Sequence, residues 1–313
     1  MSTYTSRTLL GLAGTLLLLA LAGCETNGPI RPIPRDPVGP IDSEPAWSPD
    51  GQSILYTHSP QDSSESALGF SQIWRLELGT GLREFVTTGR SAVWSPDGDS
   101  IALEDGGLVV MDLATKIKRQ IGPGGGGQQP TWSFDGRWIA YSTTYGDPRG
   151  SPAISLIHPD GSGWRDISQH GKGAWMFPCW SPDGGWLVHL RYEGLGGELF
   201  VMDSTGAQER RLTNDAYSDR DPAWSPDGQW IAWSAYSSNS TESGLWLMHS
   251  DGTNRHLLIA GGFDPTWAPD GSRIAFAFWS PDGSPATIWS VTPGGLNLTR
   301  LTPVEAYSRE LTR

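Results

Sequence analysis

The sequence is short of cysteine, of histidine in any metal-binding spacing, and of positive charge. Cys24 and Cys179 are its only cysteines in 313 residues. No zinc pattern of the C-x-x-C kind can be built from them, and a disulfide framework is excluded. The six histidines are His58, His158, His170, His189, His249 and His256. None forms H-x-x-x-H or H-E-x-x-H, so the helical two-histidine zinc site is missing. No G-x-S-x-G elbow occurs, which removes the serine presentation of the α/β-hydrolases. Lys and Arg total 22 against 34 Asp and Glu, a net charge of −12. Phosphate backbones would repel such a chain, so nucleic acid is excluded as a partner. Gly124–Gly127 is glycine-rich but lacks the lysine and following helix of a phosphate loop, and reads as a connector. Cys179, beside Trp180, reads as a small packed residue rather than a nucleophile.

Tryptophan (16), glycine (40) and proline (24) are plentiful, a turn-rich composition too aromatic for disorder. The five residues WSPDG stand at Trp47–Gly51, Trp94–Gly98, Trp180–Gly184, Trp224–Gly228 and Trp279–Gly283. Near-copies, WSFDG and WAPDG, stand at Trp132–Gly136 and Trp267–Gly271. Leaving out the copy at Trp279, successive motif tryptophans lie 38 to 48 residues apart, close to the ~40–45 residues of a four-stranded propeller blade. Ser, Pro, Asp and Gly in this order suit a type I turn whose glycine takes a left-handed conformation. Each turn is followed by two apolar segments and a shorter closing one, a four-stranded antiparallel meander. In Trp230-Ile231-Ala232-Trp233 neither face is polar, as expected of a sheet covered on both sides. The copy at Trp279 lies only 12 residues after Trp267 and so belongs to a second hairpin of the sixth unit. The expectation is an all-β six-bladed β-propeller of four-stranded antiparallel blades over residues 44–302, with a C-terminal tail at 303–313.

The N-terminus reads differently. Arg7 precedes an apolar run at residues 9–21, and Leu21-Ala22-Gly23-Cys24 follows. This resembles the bacterial lipoprotein signal. The resemblance implies that residues 1–23 are removed and that Cys24 becomes the lipid attachment site. Several acyl chains hold firmly because each buried CH₂ adds about 0.8 kcal/mol. Residues 24–43, rich in proline, read as a semi-rigid tether. Glu25 after the cysteine implies, by resemblance to diderm sorting, an outer-membrane anchor facing the periplasm.

Six repeats in this register resemble the TolB-type propeller repeat, also called WD40-like PD40, over nearly all of the chain after the tether. TolB proteins are periplasmic propellers that bind the peptidoglycan-associated lipoprotein. The resemblance implies a non-enzymatic, protein-binding scaffold of the cell envelope, with envelope proteins as partners. This chain departs from TolB in two ways: a tether stands where TolB has an N-terminal α/β domain, and the chain carries its own lipid signal. Related propellers cap prolyl oligopeptidase-type peptidases, but only 11 residues follow Thr302. Two alternatives stay open. One is a module binding carbohydrate or wall polymer, with Trp164 and Trp175 as candidate stacking residues. The other is a propeller lyase or hydrolase with a channel-bound cation.

One ring of positions is chemically suggestive. Three residues before each motif tryptophan stand Glu44, Ser91, Gln129, Phe177, Asp221 and Asp264. Inner strands converge on the axis, so Glu44, Asp221 and Asp264 are the candidate ligands of a Ca²⁺ at the channel mouth, with Asp42 and Asp219 close by. The segments 57–72, 143–153, 190–198 and 235–244 all join a second strand to a third and emerge on one face. Tyr145, Arg149, Arg191, Tyr192 and Tyr236 on them are the candidate partner-binding residues.

Overall fold

Five of the motif turns close by the same set of hydrogen bonds; the turn at Trp267, with Ala268 in place of serine, keeps only the backbone bonds and the bond from Ser272 N to Asp270 Oδ1. In the first, Gly51 N donates to Ser48 O at 2.9 Å, the bond of a type I turn. Ser48 Oγ donates to Asp50 Oδ1 at 2.6 Å, Gln52 N donates to the same oxygen, and Ser53 N donates back to Ser48 Oγ at 2.9 Å. Gly51 sits at φ 70°, where a side chain would be strained. Ser95, Ser133, Ser181 and Ser225 make the same bond to Asp97, Asp135, Asp183 and Asp227. The seryl hydroxyl, followed by a backbone N–H, holds each of these carboxylates below its ordinary range.

The computed structural model describes residues 40–60, 71–123, 126–145, 150–168, 173–193, 196–237, 242–279 and 285–303. Cys24, the predicted lipid attachment site, lies outside the described residues, as do the predicted leader, most of the predicted tether, Arg149, His170, the tail from 304 and the tips of the long loops.

The described residues form six four-stranded antiparallel sheets. Blade one is β1 (Ile41–Trp47), β2 (Ser53–Ser59), β3 (Gln72–Glu77) and β4 (Arg83–Thr88). Blade two is β5 (Arg90–Trp94), β6 (Ser100–Glu104), β7 (Leu108–Asp112) and β8 (Lys118–Gln120). Blade three is β9 (Gln128–Trp132), β10 (Ile139–Thr143), β11 (Ala153–Ile157) and β12 (Arg165–Asp166). Blade four is β13 (Ala174–Trp180), β14 (Trp186–Glu193), β15 (Gly196–Asp203) and β16 (Glu209–Arg211). Blade five is β17 (Ser218–Trp224), β18 (Trp230–Tyr236), β19 (Gly244–His249) and β20 (His256–Ala260). Blade six is β21 (Gly262–Trp267), β22 (Ile274–Phe278), β23 (Thr287–Val291) and β24 (Thr299–Arg300). The predicted six-bladed architecture is therefore the observed one. The copy at Trp279 falls between β22 and β23, within blade six, as its spacing required.

The core is divided among the gaps between blades. Leu55, Ile73, Ile101 and Leu103 fill the gap between blades one and two. Ile54 and Tyr56, the neighbours of Leu55 on β2, turn to the other face and meet Ala275, Ala277 and Ile288 of blade six. This is why the second strands read as apolar on both faces. Motif tryptophans reach across the gaps: Trp94 Nε1 donates to Ala46 O at 3.2 Å and Trp267 Nε1 to Ala223 O at 3.1 Å.

Among the described residues every blade is built from consecutive strands, and none of these sheets mixes the two ends of the chain. The ring closes by contact instead. β1 touches β21, β22 and β23, and Asp42 N donates to Ala286 O at 3.0 Å. The propeller begins at Ile41 rather than at residue 44. The end of the predicted tether joins β1 because Ile41 and Asp42 pair with Ser59 and His58. The buried Asp42 carboxyl also meets His58 Nδ1 at 2.8 Å.

A second ring runs along the turn face. Pro49 lies against Gly98, Pro96 against Gly136, Pro182 against Gly228, Pro226 against Gly271, and Pro269 against Gly51. The chain of contacts is open at one place. Phe134 replaces proline in the third motif, is 71% exposed, and leaves open space where a side chain at Gly184 would begin. Phe134→Pro is expected to stabilise the ring by about 0.4–1 kcal/mol, because proline at this turn position restricts the unfolded chain. Urea unfolding checks it, and a lower midpoint would show that Phe134 makes a contact proline cannot replace.

Candidate functional site

The six axial positions singled out in the sequence do form a ring. Glu44, Ser91, Gln129, Phe177, Asp221 and Asp264 line one pocket at the channel mouth, together with Pro45, Pro130, Pro178, Pro222 and Pro265. All six share a left-handed backbone with φ between 51° and 53°. A non-glycine residue there is strained by ~1–2 kcal/mol. The same residues lie at register shifts in the pairing of the first and second strands, as between Ser43 and Ala46 or between Arg220 and Ala223. Each blade thus carries a bulge that aims one residue at the axis.

A bulge leaves a backbone N–H outside its own ladder, and the preceding blade supplies the acceptor. Ser91 N donates to Glu44 Oε2 at 2.8 Å and Ser91 Oγ to Glu44 Oε1 at 2.8 Å. Phe177 N donates to Gln129 Oε1 at 3.4 Å and to Ser142 Oγ at 3.2 Å. Asp264 N donates to Ser234 Oγ at 2.9 Å, and Glu44 N to Asp264 Oδ2 at 3.2 Å, across the closure. Thr57 Oγ1 completes the Glu44 set at 2.7 Å. These hydrogen bonds form a belt across four blade junctions: one to two, three to four, five to six and six to one. The hydroxyls of Thr57, Ser142 and Ser234 were not singled out in the sequence. They had a signal there, since each stands ten residues after its motif tryptophan, in blades one, three and five.

Of the three predicted calcium ligands, Asp221 and Asp264 are neighbours. Burial raises both above the ordinary carboxylate range, and for Asp264 the charges of Asp221 and Glu44 add to it. Each also keeps part of its surface open to the channel, where water moderates the effect. Both oxygens of Glu44 are engaged by Ser91 and Thr57. Among the described residues, the carboxylates that approach within ligand distance of one another are a different trio, Glu198, Asp215 and Asp219. Burial pushes Asp219 up to about 7, with contacts to Thr213 and Trp233 opposing.

The predicted partner-binding residues separate. Tyr145 and Tyr236 are 43% and 41% exposed at the ends of β10 and β18, and Tyr192 is half-buried on β14. Arg191 is not a surface anchor. It is buried, ion-paired with Glu209, and its guanidinium lies 3.8 Å from the Phe200 ring centroid. The alternation of β14 turns it into the blade against Trp175 and His189, a direction its loop-side position in the sequence does not reveal. Trp175 is likewise unavailable to a sugar, being fully buried and stacked on His189 at 4.6 Å. Trp164 is half-buried and edge-on to Tyr145. Cys179 accepts from Trp224 N of the next blade, and burial pushes its thiol up to about 11.

A sequence profile of the TolB beta propeller domain, PD40, matches residues 149–277. Among solved structures, a TolB candidate from Agrobacterium tumefaciens is 23% identical with a TM-score of 0.61. That match covers 74% of this chain and 87% of the other. TolB from Acinetobacter baumannii is 17% identical with a TM-score of 0.65. Here 86% of this chain is covered but only 64% of the Acinetobacter protein. Oligogalacturonate lyase from Vibrio parahaemolyticus is 12% identical with a TM-score of 0.57, over 87% of this chain and 80% of the lyase. No curated protein sequence matches the chain.

Proposed function

From the premise that the chain folds as a TolB-like six-bladed β-propeller, we propose that it is a cell-envelope lipoprotein acting as a non-enzymatic protein-binding scaffold. Cys24 would carry the anchor, on the outer membrane facing the periplasm. The partner would be an envelope protein, such as a peptidoglycan-associated lipoprotein.

The observation that carries this reading is the distribution of work at the loop-bearing face. The axial polar side chains are engaged between blades, which stiffens the disc. Around them Tyr145, Tyr192, Tyr236 and Phe177 stand on the side where the second-to-third-strand loops emerge. Tyrosines held on a rigid support bury much area at little cost in side-chain entropy.

The test is mild crosslinking of the full-length protein in its own envelope, followed by mass spectrometry of what it captures, with Cys24→Ala to show which captures need the anchor. An envelope protein should be recovered, and Tyr145→Ala with Tyr236→Ala should reduce its yield several-fold. If no protein is enriched over the control, the scaffold reading falls and wall polymer becomes the next ligand to try.

A further inference from the structure

Glu198 lies on β15 of blade four, Asp219 on β17 of blade five, and Asp215 in the connection between those blades. Each has at least one carboxylate oxygen held by a donor of the protein, and Asp215 has both. Arg211 Nη2 is 2.9 Å from Glu198 Oε1, Arg255 Nη1 is 2.7 Å from Asp215 Oδ2, and Trp233 Nε1 donates to Asp219 Oδ1 at 2.8 Å. Tyr217 N takes Asp215 Oδ1 at 3.0 Å. The second oxygens of the other two are different. Glu198 Oε2 and Asp219 Oδ2 are buried, and no hydrogen bond of ordinary geometry reaches either, on residues that are 5% and 1% exposed; the Thr213 hydroxyl stands near Asp219, whereas Glu198 Oε2 has no such neighbour among the described residues. A buried carboxylate oxygen without a donor is costly.

We propose that Glu198, Asp215 and Asp219 form a binding site for a divalent, oxygen-preferring cation of the Ca²⁺ class at the junction of blades four and five. One ligand atom from each lies within 4.8 Å of the others. Oxygens around a single Ca²⁺, at ~2.3–2.6 Å from it, are at most about 5 Å apart. The trio therefore spans one coordination sphere as it stands. The site draws on hard carboxylate oxygens alone, which favours Ca²⁺ over softer metals. The two guanidiniums leave the five groups with one net negative charge when all carboxylates are ionised, and a divalent ion supplies what the orphaned oxygens lack. The donors already in place fix the orientation of each carboxylate. Bound there, the ion would tie β15 to β17 and pin the connection that carries Asp215. The site is separate from the axial ring and does not depend on the scaffold reading.

The experiment uses the purified full chain, stripped with a chelator and titrated with CaCl₂ in a calorimeter, with melting followed in parallel. About one equivalent should bind and raise the melting temperature. Asp215→Asn, at the surface, should weaken Ca²⁺ at least ten-fold with a small change in the metal-free melt, since an exposed ion pair contributes ~0–1 kcal/mol, and Asp219→Asn and Glu198→Gln should weaken Ca²⁺ as much or more. Tb³⁺ in place of Ca²⁺ should show emission sensitised by Trp233 and lost on adding Ca²⁺. The proposal is overturned if the wild-type chain shows neither heat nor a melting shift. It is equally overturned if Asp215→Asn and Asp219→Asn bind like wild type, or if Asp264→Asn on the ring is the change that removes binding.

Discussion

Trp233→Ala should lower the stability of the propeller by about 5 kcal/mol, the largest effect expected of a single side chain here. Trp233 is 2% exposed and fills the gap between blades four and five with Val188, Leu199, Ile231 and Met248. Deleting a buried tryptophan leaves a cavity its neighbours only partly fill, at ~3–5 kcal/mol. The indole is also the donor to Asp219 Oδ1, and orphaning that buried oxygen adds ~1–3 kcal/mol. Trp233→Phe separates the two contributions. It keeps most of the bulk and loses the donor, so about 2 kcal/mol is expected. Urea unfolding followed by far-ultraviolet circular dichroism measures both. A loss under 2 kcal/mol for the alanine variant would mean that the gap between blades relaxes, and that tight packing there is not what holds the ring.

Glu44→Ala should follow at about 3 kcal/mol. Its carboxylate accepts from Ser91 N, Ser91 Oγ and Thr57 Oγ1, and hydrogen bonds to a charged acceptor contribute ~1.5–3 kcal/mol each before compensation. Water in the channel can replace part of this, which is why the figure stays below the sum. Ser91 is one of the left-handed residues, so removing its acceptor exposes backbone strain as well. Glu44→Gln keeps one good acceptor and should lose about half as much. If Glu44→Ala melts like wild type, the belt of hydrogen bonds is incidental to the blade contacts around it.

The two variants probe features of unequal visibility. Trp233 could be read as buried from Trp230-Ile231-Ala232-Trp233, where no face is polar. Its bond to Asp219 could not, because the two residues are 14 apart and meet only when β17 and β18 pair. The axial ring was visible as a register of positions before the motif tryptophan. What the ring does was not visible. Carboxylates at a channel mouth suggest cation ligands, yet Glu44 answers the unpaired N–H of a bulge in the next blade; the proline that follows five of the six ring positions is compatible with a bulge but does not say which group answers the freed N–H. Arg191 and Trp175 show the same limit from the other side. Both read as surface residues near a loop, and both point inward because strand alternation decides a side chain's face once the register is set.

By itself the sequence determined the local chemistry and its count. WSPDG contains its own turn, with proline presetting φ, serine and aspartate capping backbone N–H groups, and glycine taking the left-handed position. Six such units at blade spacing leave a propeller as the arrangement that covers both faces of every sheet. Only the tertiary structure decided what happens between units. It set the closure through β1 and blade six, the blade-to-blade belt at the axis, and the meeting of Glu198, Asp215 and Asp219 at one junction. The physical reason is range. A turn is settled by bonds across five residues, whereas these contacts join groups that come together only after whole blades have packed.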